Sequence, residues 1–582
     1  YYNQNRQDLD ATSKQQSFLS NLTFSKLDTN SRFNFNQNHR GGFRFEKTID
    51  SLNTLIILSN MRIGSGNNDY SSHQEFYRGS GQEDNLSTVS DLKNANDFTS
   101  FAIGNTAIYR HKFMKKGRSF AASFGYNINN SDGFASQHSL NRFVKSAQED
   151  SIVAIKQTND TKSLRNQLKS SLLFIEPLTK KLVLETFYNF SLKSDEVDRD
   201  VFDIGESAIR NNNLSRYYSN KTDFNRGGTS LRYSHNGLNI AGGLAVQQIH
   251  MNGKFAIDQG EDFTSTLNRK FVNWTPNFSL NYDLKKNRYL WAGYNVGVDE
   301  PSIGSLQPIV DNSNPLYIRV GNPNLVPTIR HSGNLGFNYF NPSSFTRMYV
   351  GLNYNYYENQ VIFNQTVDEN LVTTTKAGNI SGGKSYGLYG NYGFPIVKTK
   401  SNLSFNLNYN RNSNLTYING VINNTTSNGY NFGIRSDYTP SDKFTLYANA
   451  NWNITDTKYS ISTSQNQKIV NGTYSAEMNI KMPSDIYFNS GFDYKTYVNN
   501  RFGFNQNMPI LNLSVYKTML KSKKGEIRLS MYDVFNQNRG ISQYASSNFV
   551  TQEKVRTLAR YFMLSLTYNM RGVSHSVRKK GY

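Results

Sequence analysis

Apolar and polar residues alternate along much of this chain. In residues 348–356 every second side chain is apolar or aromatic, and the positions between them carry Tyr, Gly and Asn. The same period of two recurs in residues 403–410, 444–454 and 562–570. Because successive side chains of a β-strand point to opposite faces, each segment predicts a strand with one apolar face and one hydrated face.

The connections between these predicted strands fall into two classes by length. Ten short connections lie at residues 50–53, 115–118, 177–181, 235–237, 283–288, 341–344, 397–400, 439–442, 482–485 and 521–525. Longer segments rich in Asn, Asp and Ser lie at Gly64–Asp97, Asp132–Ser163, Ser194–Thr222, Asp299–Arg330 and Asn538–Arg556. Short turns on one side and long loops on the other are typical of outer-membrane barrels, whose short turns face the periplasm. Ten short turns, with one more strand at each end of the series, predict about 22 strands.

The composition fits such a barrel better than the other fold classes. Hydrophobic residues make up 37%, aromatic residues 14%, and the mean hydropathy is -0.63. Disordered chains of this polarity contain few aromatic residues, and an ordinary globular core needs more aliphatic ones. No run approaches the roughly 18 to 20 apolar residues of a membrane helix. We therefore predict an all-β fold, a transmembrane antiparallel β-barrel of about 22 strands located in the cell outer membrane.

The charge of the chain does not point to nucleic acid. The formal net charge is +21, but Lys and Arg are spread over turns such as Lys115–Arg118 and Lys285–Arg288 instead of forming one stripe. A nucleic-acid site usually concentrates its basic residues on one face. The favoured interpretation of the basic surface is a solvated rim without a specific partner, and the alternative is that it meets outer-membrane lipid and the phosphates of lipopolysaccharide.

Two regions of the sequence resemble a known family. Glu300–Ser302, Leu306–Pro308 and above all Asn314–Pro327, with the letters NPLYIRVGNPNLVP, resemble the mid-barrel signature of TonB-dependent receptors. The resemblance is to the Bacteroidetes-type outer membrane β-barrel family. Residues 532–542 and 560–570 resemble the penultimate and closing strands of that family. Read physically, Gly321–Leu325 predicts a turn that returns a long loop to the strand near His331, with direct ligand contact as the alternative.

The resemblance implies energised uptake of a nutrient ligand across the outer membrane of a Gram-negative bacterium. Its partners would be an N-terminal plug inside the lumen, the TonB complex and an unknown nutrient, with a surface lipoprotein as a further candidate. The chain opens at Tyr1 without a signal peptide, and neither the plug nor a TonB-contacting segment is found in it. We expect residues 1–570 to form the barrel and residues 571–582 to form a basic C-terminal tail. The first strands of the barrel are either complete or truncated.

Two other functions remain open at this stage. The first is an outer-membrane barrel that does not transport and serves as a surface receptor or as a structural partner in an envelope complex. The second is a soluble Asn-rich β-adhesin. A plug domain and a TonB-contacting segment upstream would support transport, and retention in the membrane fraction would argue against the adhesin.

The sequence predicts no enzyme. It contains eight His and no Cys, which excludes disulfides and thiolate metal sites, and no His pair has the spacing of a metalloenzyme helix. His235, His250 and His331 are scattered, so no catalytic triad can be selected. We therefore predict no catalytic, cofactor or metal site, and the ligand-binding residues remain unknown.

Three smaller groups of residues suggest roles of their own. The acidic cluster Asp195, Glu196, Asp198 and Asp200 predicts a solvated outer loop, with a calcium site as the alternative. Tyrosines near strand ends predict interfacial girdles, where the ring meets lipid and the hydroxyl meets water. These are Tyr356, Tyr357, Tyr494 and Tyr497. Loop aromatics that could stack on a sugar are Phe76, Tyr77 and Tyr544.

Overall fold

The computed structural model describes residues 2–19, 23–79, 86–145, 149–261, 265–306, 310–311, 314, 316–499, 504–545 and 548–569. The predicted basic tail, residues 571–582, lies outside the described residues. Within the described part of the chain, no helix has the length and apolar character needed to cross a membrane.

Nearly all regular structure is β-strand. Among the described residues, one α-helix, α1, covers Ile303–Leu306, and short 3-10 turns cover Thr463–Gln465, Pro483–Asp485 and Lys521–Lys523. The first fifteen strands are β1 (Tyr2–Phe18), β2 (Thr23–Thr48), β3 (Asn53–Arg78), β4 (Leu86–Lys112), β5 (Ser119–Phe143), β6 (Ser151–Pro177), β7 (Leu182–Ile204), β8 (Ala208–Arg210), β9 (Arg216–His235), β10 (Leu238–Ala256), β11 (Ser265–Trp274), β12 (Asn277–Asp283), β13 (Arg288–Asp299), β14 (Val310–Asp311) and β15 (Tyr317–Val320). The others are β16 (Thr328–Asn341), β17 (Thr346–Glu358), β18 (Gln360–Val367), β19 (Thr373–Ile380), β20 (Gly383–Val397), β21 (Ser401–Ile418), β22 (Val421–Ser441), β23 (Phe444–Tyr459), β24 (Gln467–Met482), β25 (Ile486–Asn499), β26 (Phe504–Met519), β27 (Gly525–Tyr532), β28 (Ile541–Ala545), β29 (Phe549–Val555) and β30 (Tyr561–Tyr568).

Backbone pairing between neighbours defines one continuous antiparallel wall. Its 22 strands follow the chain in the order β1, β2, β3, β4, β5, β6, β7, β9, β10, β12, β13, β16, β17, β20, β21, β22, β23, β24, β25, β26, β27 and β30. The predicted strand number is therefore confirmed. All ten predicted short connections join neighbouring strands of this wall on one side, which is the periplasmic side of such a barrel.

The wall closes between its first and last hairpins. β28 and β29 pair with each other and extend the last hairpin, and β29 pairs antiparallel with β1 from Ala11 opposite Val555 to Ser17 opposite Phe549. This contact lies in the extracellular half. In the periplasmic half, β30 pairs with β27 alone among the described residues, and Gly41–Thr48 of β2 pair with β3 alone.

Three of the predicted long loops are mostly strand instead. β3 and β4 remain paired up to Tyr77 opposite Leu86, so the described residues of the predicted loop Gly64–Asp97 lie almost entirely within the ladder. The segments Asp132–Ser163 and Ser194–Thr222 likewise fall largely within β5, β6, β7 and β9. Strands of up to 27 residues far exceed the 9 to 11 that cross a bilayer. The hairpins therefore project well beyond the membrane, where both faces are hydrated and the apolar period is lost.

The register brings like residues together on each face of the wall. Leu335, Leu352 and Leu388 lie side by side across β16, β17 and β20, and the first two are 44% and 46% exposed. On the other face, Asn334 lies opposite Asn353. A closed barrel must direct its exposed aliphatic face to lipid and its polar face to the lumen, so the predicted alternation is confirmed.

The predicted aromatic girdle needs a correction. Tyr356 and Tyr494 alternate with the apolar row, and the ring of Tyr494 lies 6.1 Å from that of Tyr474 on the same face. Tyr357 follows Tyr356, and Tyr497 follows Tyr494, by an odd number of residues in the same strand. The side chains of Tyr357 and Tyr497 therefore point to the lumenal face. Only one tyrosine of each predicted pair can therefore meet lipid.

A cluster of charges ties two periplasmic turns together. Arg118 Nε donates to Glu176 Oε2 over 2.5 Å, and Lys115 also pairs with this carboxylate. The hydrogen bonds from Arg118 and then Lys115 lower the pKa of Glu176 to about 2. Since the folded pKa lies below the ordinary value of 4.5, the stabilisation is present above pH 4.5 and is lost as the pH falls from 4.5 towards 2.

We expect Glu176→Gln to remove this acid sensitivity. At pH 7 the variant should be slightly less stable than the unmodified protein, and the difference should shrink between pH 4.5 and pH 2. Unfolding temperatures from heat-modifiable gel migration at several pH values would measure it. A difference that stays constant over this range would contradict the assigned ion pairs.

Candidate functional site

A β-hairpin crosses the extracellular mouth of the barrel. β17 pairs directly with β20, so β18 and β19 form an insertion between two neighbouring wall strands. The hairpin leaves the wall at Asn359 and rejoins it at Gly382, both with positive φ, 51° and 112°. Asn and Gly are the residues that most readily adopt this backbone conformation, which turns the hairpin out of the plane of the wall.

The tip of this hairpin is held by strands on the far side of the wall. Thr88 Oγ1 donates to the carbonyl oxygen of Asn370 over 2.7 Å, and Arg78 Nη2 donates to that of Glu369 over 2.5 Å. Leu371 is 1% exposed and belongs to a buried apolar cluster that includes Phe76. β3 and β17 are the third and thirteenth strands of a wall of 22, so the hairpin spans the mouth from one side to the other.

The segment that carries the family signature completes this cover. β15 pairs in parallel with β19, from Tyr317 opposite Thr373 to Val320 opposite Lys376. The side chain of Asn379 binds both the backbone N–H and the carbonyl of Val326, at 2.9 and 3.0 Å. Directly after these contacts the chain enters β16, which begins at Thr328.

Asn322 fixes the turn inside the signature. Its Nδ2 donates to the carbonyl of Ala377 over 3.1 Å, and its Oδ1 accepts the backbone N–H of Asn324 over 2.9 Å. Leu325 is 1% exposed and joins a second buried cluster with Ile249 and Met251 of β10. The predicted returning turn is therefore confirmed, and in this structure it anchors the cover to the wall. We name β18, β19 and residues 316–327 together the mouth cover.

The lumenal wall below the cover is polar but contains a flat aromatic group. The rings of Trp291 and Tyr349 stack at 5.3 Å, and those of Tyr349 and Tyr389 lie 5.2 Å apart. A Cβ atom on Gly336 would lie 1.9 Å from Cζ2 of Trp291, so only glycine lets the indole lie flat on the sheet. The alternating pattern of the sequence did not identify this group, although glycines opposite aromatic residues were a usable signal.

A cavity opens into the lumen below the cover. It has a volume of about 680 Å³ and is lined mainly by hydroxyl and amide side chains of β4–β7, β9 and β10. Lys193 pairs at its upper edge with Glu300, the residue that follows β13. No local sequence pattern indicates this pair, because the two residues are 107 positions apart.

The structure divides the predicted acidic cluster between two faces of β7. Asp195 pairs with Arg165, whereas the carboxylates of Asp198 and Asp200 approach Asp258 within 4.8 Å. Burial, followed by the neighbouring Asp200 and Asp258 carboxylates, raises the pKa of Asp198. The guanidinium of Arg210 lies 2.7 Å from Asp200 and 3.9 Å from Asp258, which offsets part of the negative charge. The contribution of Asp258 was not predictable from the sequence, because Asp258 comes from a separate loop.

The three histidines considered for catalysis lie apart. His235 is beside Lys181 at a periplasmic turn, His250 is beside Asn268, and His331 is beside Tyr294. The structure therefore brings no two of them together.

Two of the three aromatics considered for sugar stacking are inaccessible. Phe76 is 1% exposed and Tyr77 is 7% exposed, whereas Tyr544 is 50% exposed. The first two thus pack within the extracellular hairpins and cannot offer a ring face to a ligand.

Comparison with known proteins places these features in a family. The sequence matches the profile of the outer membrane protein beta-barrel family over residues 111–431 and 411–568. No curated protein matches it. One similar solved structure is the siderophore receptor PirA from Pseudomonas aeruginosa, with 11% identity over 95% of this chain and 81% of that chain and a TM-score of 0.38. A second is a variant of the ferric enterobactin receptor PfeA from Pseudomonas aeruginosa in complex with enterobactin, with 9% identity over 96% of this chain and 82% of that chain and a TM-score of 0.42. A third is the alcaligin receptor FauA from Bordetella pertussis, with 11% identity over 96% of this chain and 76% of that chain and a TM-score of 0.32.

The two family matches overlap and together span most of the chain, including most of the wall and the whole mouth cover. The 22-strand antiparallel wall with short turns on one side is the architecture that such a family requires. The chain belongs to the outer membrane protein β-barrel family, and its wall lies in the outer membrane.

Proposed function

We propose that this protein is a TonB-dependent receptor that takes up a nutrient ligand through its lumen. The observation that carries the proposal is a wide, polar lumen whose extracellular mouth is crossed by a hairpin anchored on both sides. Barrels of 22 strands enclose a lumen broad enough to need a plug. A purely structural barrel has no need of a hairpin that covers its lumen.

Coupling to TonB is supported by the sequence resemblance. Residues 314–327 resemble the receptor signature, and within them Tyr317–Val320 and Asn322 hold the mouth cover together. Energised release would require a plug within the lumen and a periplasmic segment that contacts the TonB complex. Both are part of the proposal.

The test compares uptake with and without this energy source. A strain lacking the protein and a strain lacking TonB function would be grown beside the parent strain, and the disappearance of individual nutrients from a defined medium would be measured. We expect at least one nutrient to be consumed at least tenfold more slowly in both mutant strains. Unchanged nutrient consumption in the strain lacking the protein would instead favour a receptor or structural role without transport.

A further inference from the structure

We propose that the lumenal cavity below the mouth cover binds a polyhydroxylated anion, such as an acidic sugar, and that Glu300 occupies the anion position while no ligand is bound. This inference rests on the proposed uptake function and specifies its substrate class. It depends on the side chains that the register of β6, β7 and β9 places on one face.

Two lysines lie diagonally on the cavity wall. Gln167 of β6 lies opposite Lys193 of β7, and Lys169 lies opposite Ser191. Diagonal neighbours in an antiparallel pair are roughly 7 to 8 Å apart, within reach of long side chains. Both ammonium groups can therefore approach one ligand in the lumen.

The charges of this wall do not balance. Lys193 pairs with Glu300, and no ion pair within 4.0 Å involves Lys169 in the part of the chain that the structure describes. In the next charged pair along the wall, the charges of Arg165 and Asp195 neutralise each other. The cavity lining thus holds two lysines and one carboxylate, and that carboxylate comes from a loop. A ligand with its own anionic group could replace Glu300 at Lys193 and bind Lys169 as well.

The remainder of the cavity suits a polyol. Gln167 Nε2 donates to Ser191 Oγ over 3.2 Å, and Ser171 Oγ donates to Asn189 Oδ1 over 2.7 Å. These side chains retain further donors and acceptors for ligand hydroxyls. On the neighbouring strand β9, Phe224 pairs with Ser191 of β7 and adds an aromatic surface to the lining. Hydroxyls beside an apolar C–H face are the chemistry of a sugar ring.

Glu300 connects this cavity to the loop that leads into the mouth cover. It directly follows Asp299, the last residue of β13, and precedes α1. A ligand that displaces the Glu300 carboxylate would release this loop from Lys193. Binding at the cavity would therefore loosen one attachment of the loop to the wall.

Binding of two matched disaccharides to the protein purified in detergent tests the inference. Digalacturonate carries carboxylates, whereas digalactose has the same size without them. Calorimetric titration should show that Lys169→Met and Lys193→Met each weaken digalacturonate binding at least tenfold. Glu300→Gln should strengthen it at least fivefold, because the internal competitor is removed. Binding of digalactose should change less than twofold in all three variants.

Lys495→Met supplies the control. Lys495 lies opposite Thr473 on the lumenal face of β25, outside the cavity, and its loss should leave digalacturonate binding unchanged. Heat-modifiable migration confirms that each variant is folded. The inference is overturned if digalacturonate does not bind, if Glu300→Gln does not strengthen binding, or if Lys495→Met acts like Lys193→Met. If digalacturonate does not bind but the protein still takes up another nutrient with the help of TonB, only the substrate class is overturned. If digalacturonate binds as expected but nutrient uptake does not require TonB, only the proposed transport is overturned.

Discussion

Leu352→Arg is expected to destabilise the folded barrel by about 2–4 kcal/mol, the cost of a basic side chain at the middle of the lipid face. Leu352 is the seventh residue of β17, and crossing a bilayer takes about 9 to 11 residues of a tilted strand, so it lies near the midplane. Its side chain is 46% exposed beside those of Leu335 and Leu388. An arginine there would have to leave water for hydrocarbon.

The matched control is the next residue. Asn353→Arg places the same side chain on the lumenal face, opposite Asn334, and should change stability by less than about 1 kcal/mol. Urea unfolding in lipid vesicles, followed by fluorescence and by heat-modifiable migration, would measure both variants. Equal effects of the two substitutions, or a larger effect of Asn353→Arg, would contradict the assignment of the two faces.

The wall could be predicted from the sequence because local rules determine it. The alternation in residues 348–356 reports which side chains meet lipid, and turns such as Asn341–Ser344 are short because they join adjacent antiparallel strands. The extracellular hairpins were harder to predict. Residues such as Asn68, which lies opposite Asn34 and Asn96, are common in loops, yet here they continue the ladder where both faces are hydrated.

The candidate site could be predicted only in part because its contacts are non-local. The turn at Gly321–Leu325 could be recognised from its Gly, Asn and Pro residues, but not the partner that Asn379 supplies from another hairpin. Arg78 and Glu369 are 291 residues apart, and Lys193 and Glu300 are 107 apart. No local sequence pattern predicts such pairs. They arise only when a closed wall brings distant strands around the same lumen.

Leu371→Asp is expected to release the tip of the mouth cover. Truncating a buried leucine costs about 2–5 kcal/mol, and a carboxylate in the same apolar cluster adds the cost of desolvation. Leu371 is 1% exposed and is the fully buried apolar residue of the tip, whereas Val367 and Val372 pack against the same cluster only partly buried, and hydrogen bonds reach the backbone carbonyls of Glu369 and Asn370. Losing the apolar anchor should therefore favour an open mouth, while the wall, which does not depend on this residue, stays folded.

A cysteine placed in the lumen would report this opening. The chain contains no cysteine, so Ser191→Cys introduces a unique thiol in the wall of the cavity below the cover. We expect a bulky, membrane-impermeant maleimide added to intact cells to label it at least tenfold faster when Leu371→Asp is also present, an opening shift of about 1.4 kcal/mol or more. Asn370→Ala is the control, because it keeps the backbone carbonyl that Thr88 binds and should leave labelling unchanged. Equal labelling rates in a folded Leu371→Asp variant would show that this hairpin does not limit access to the lumen.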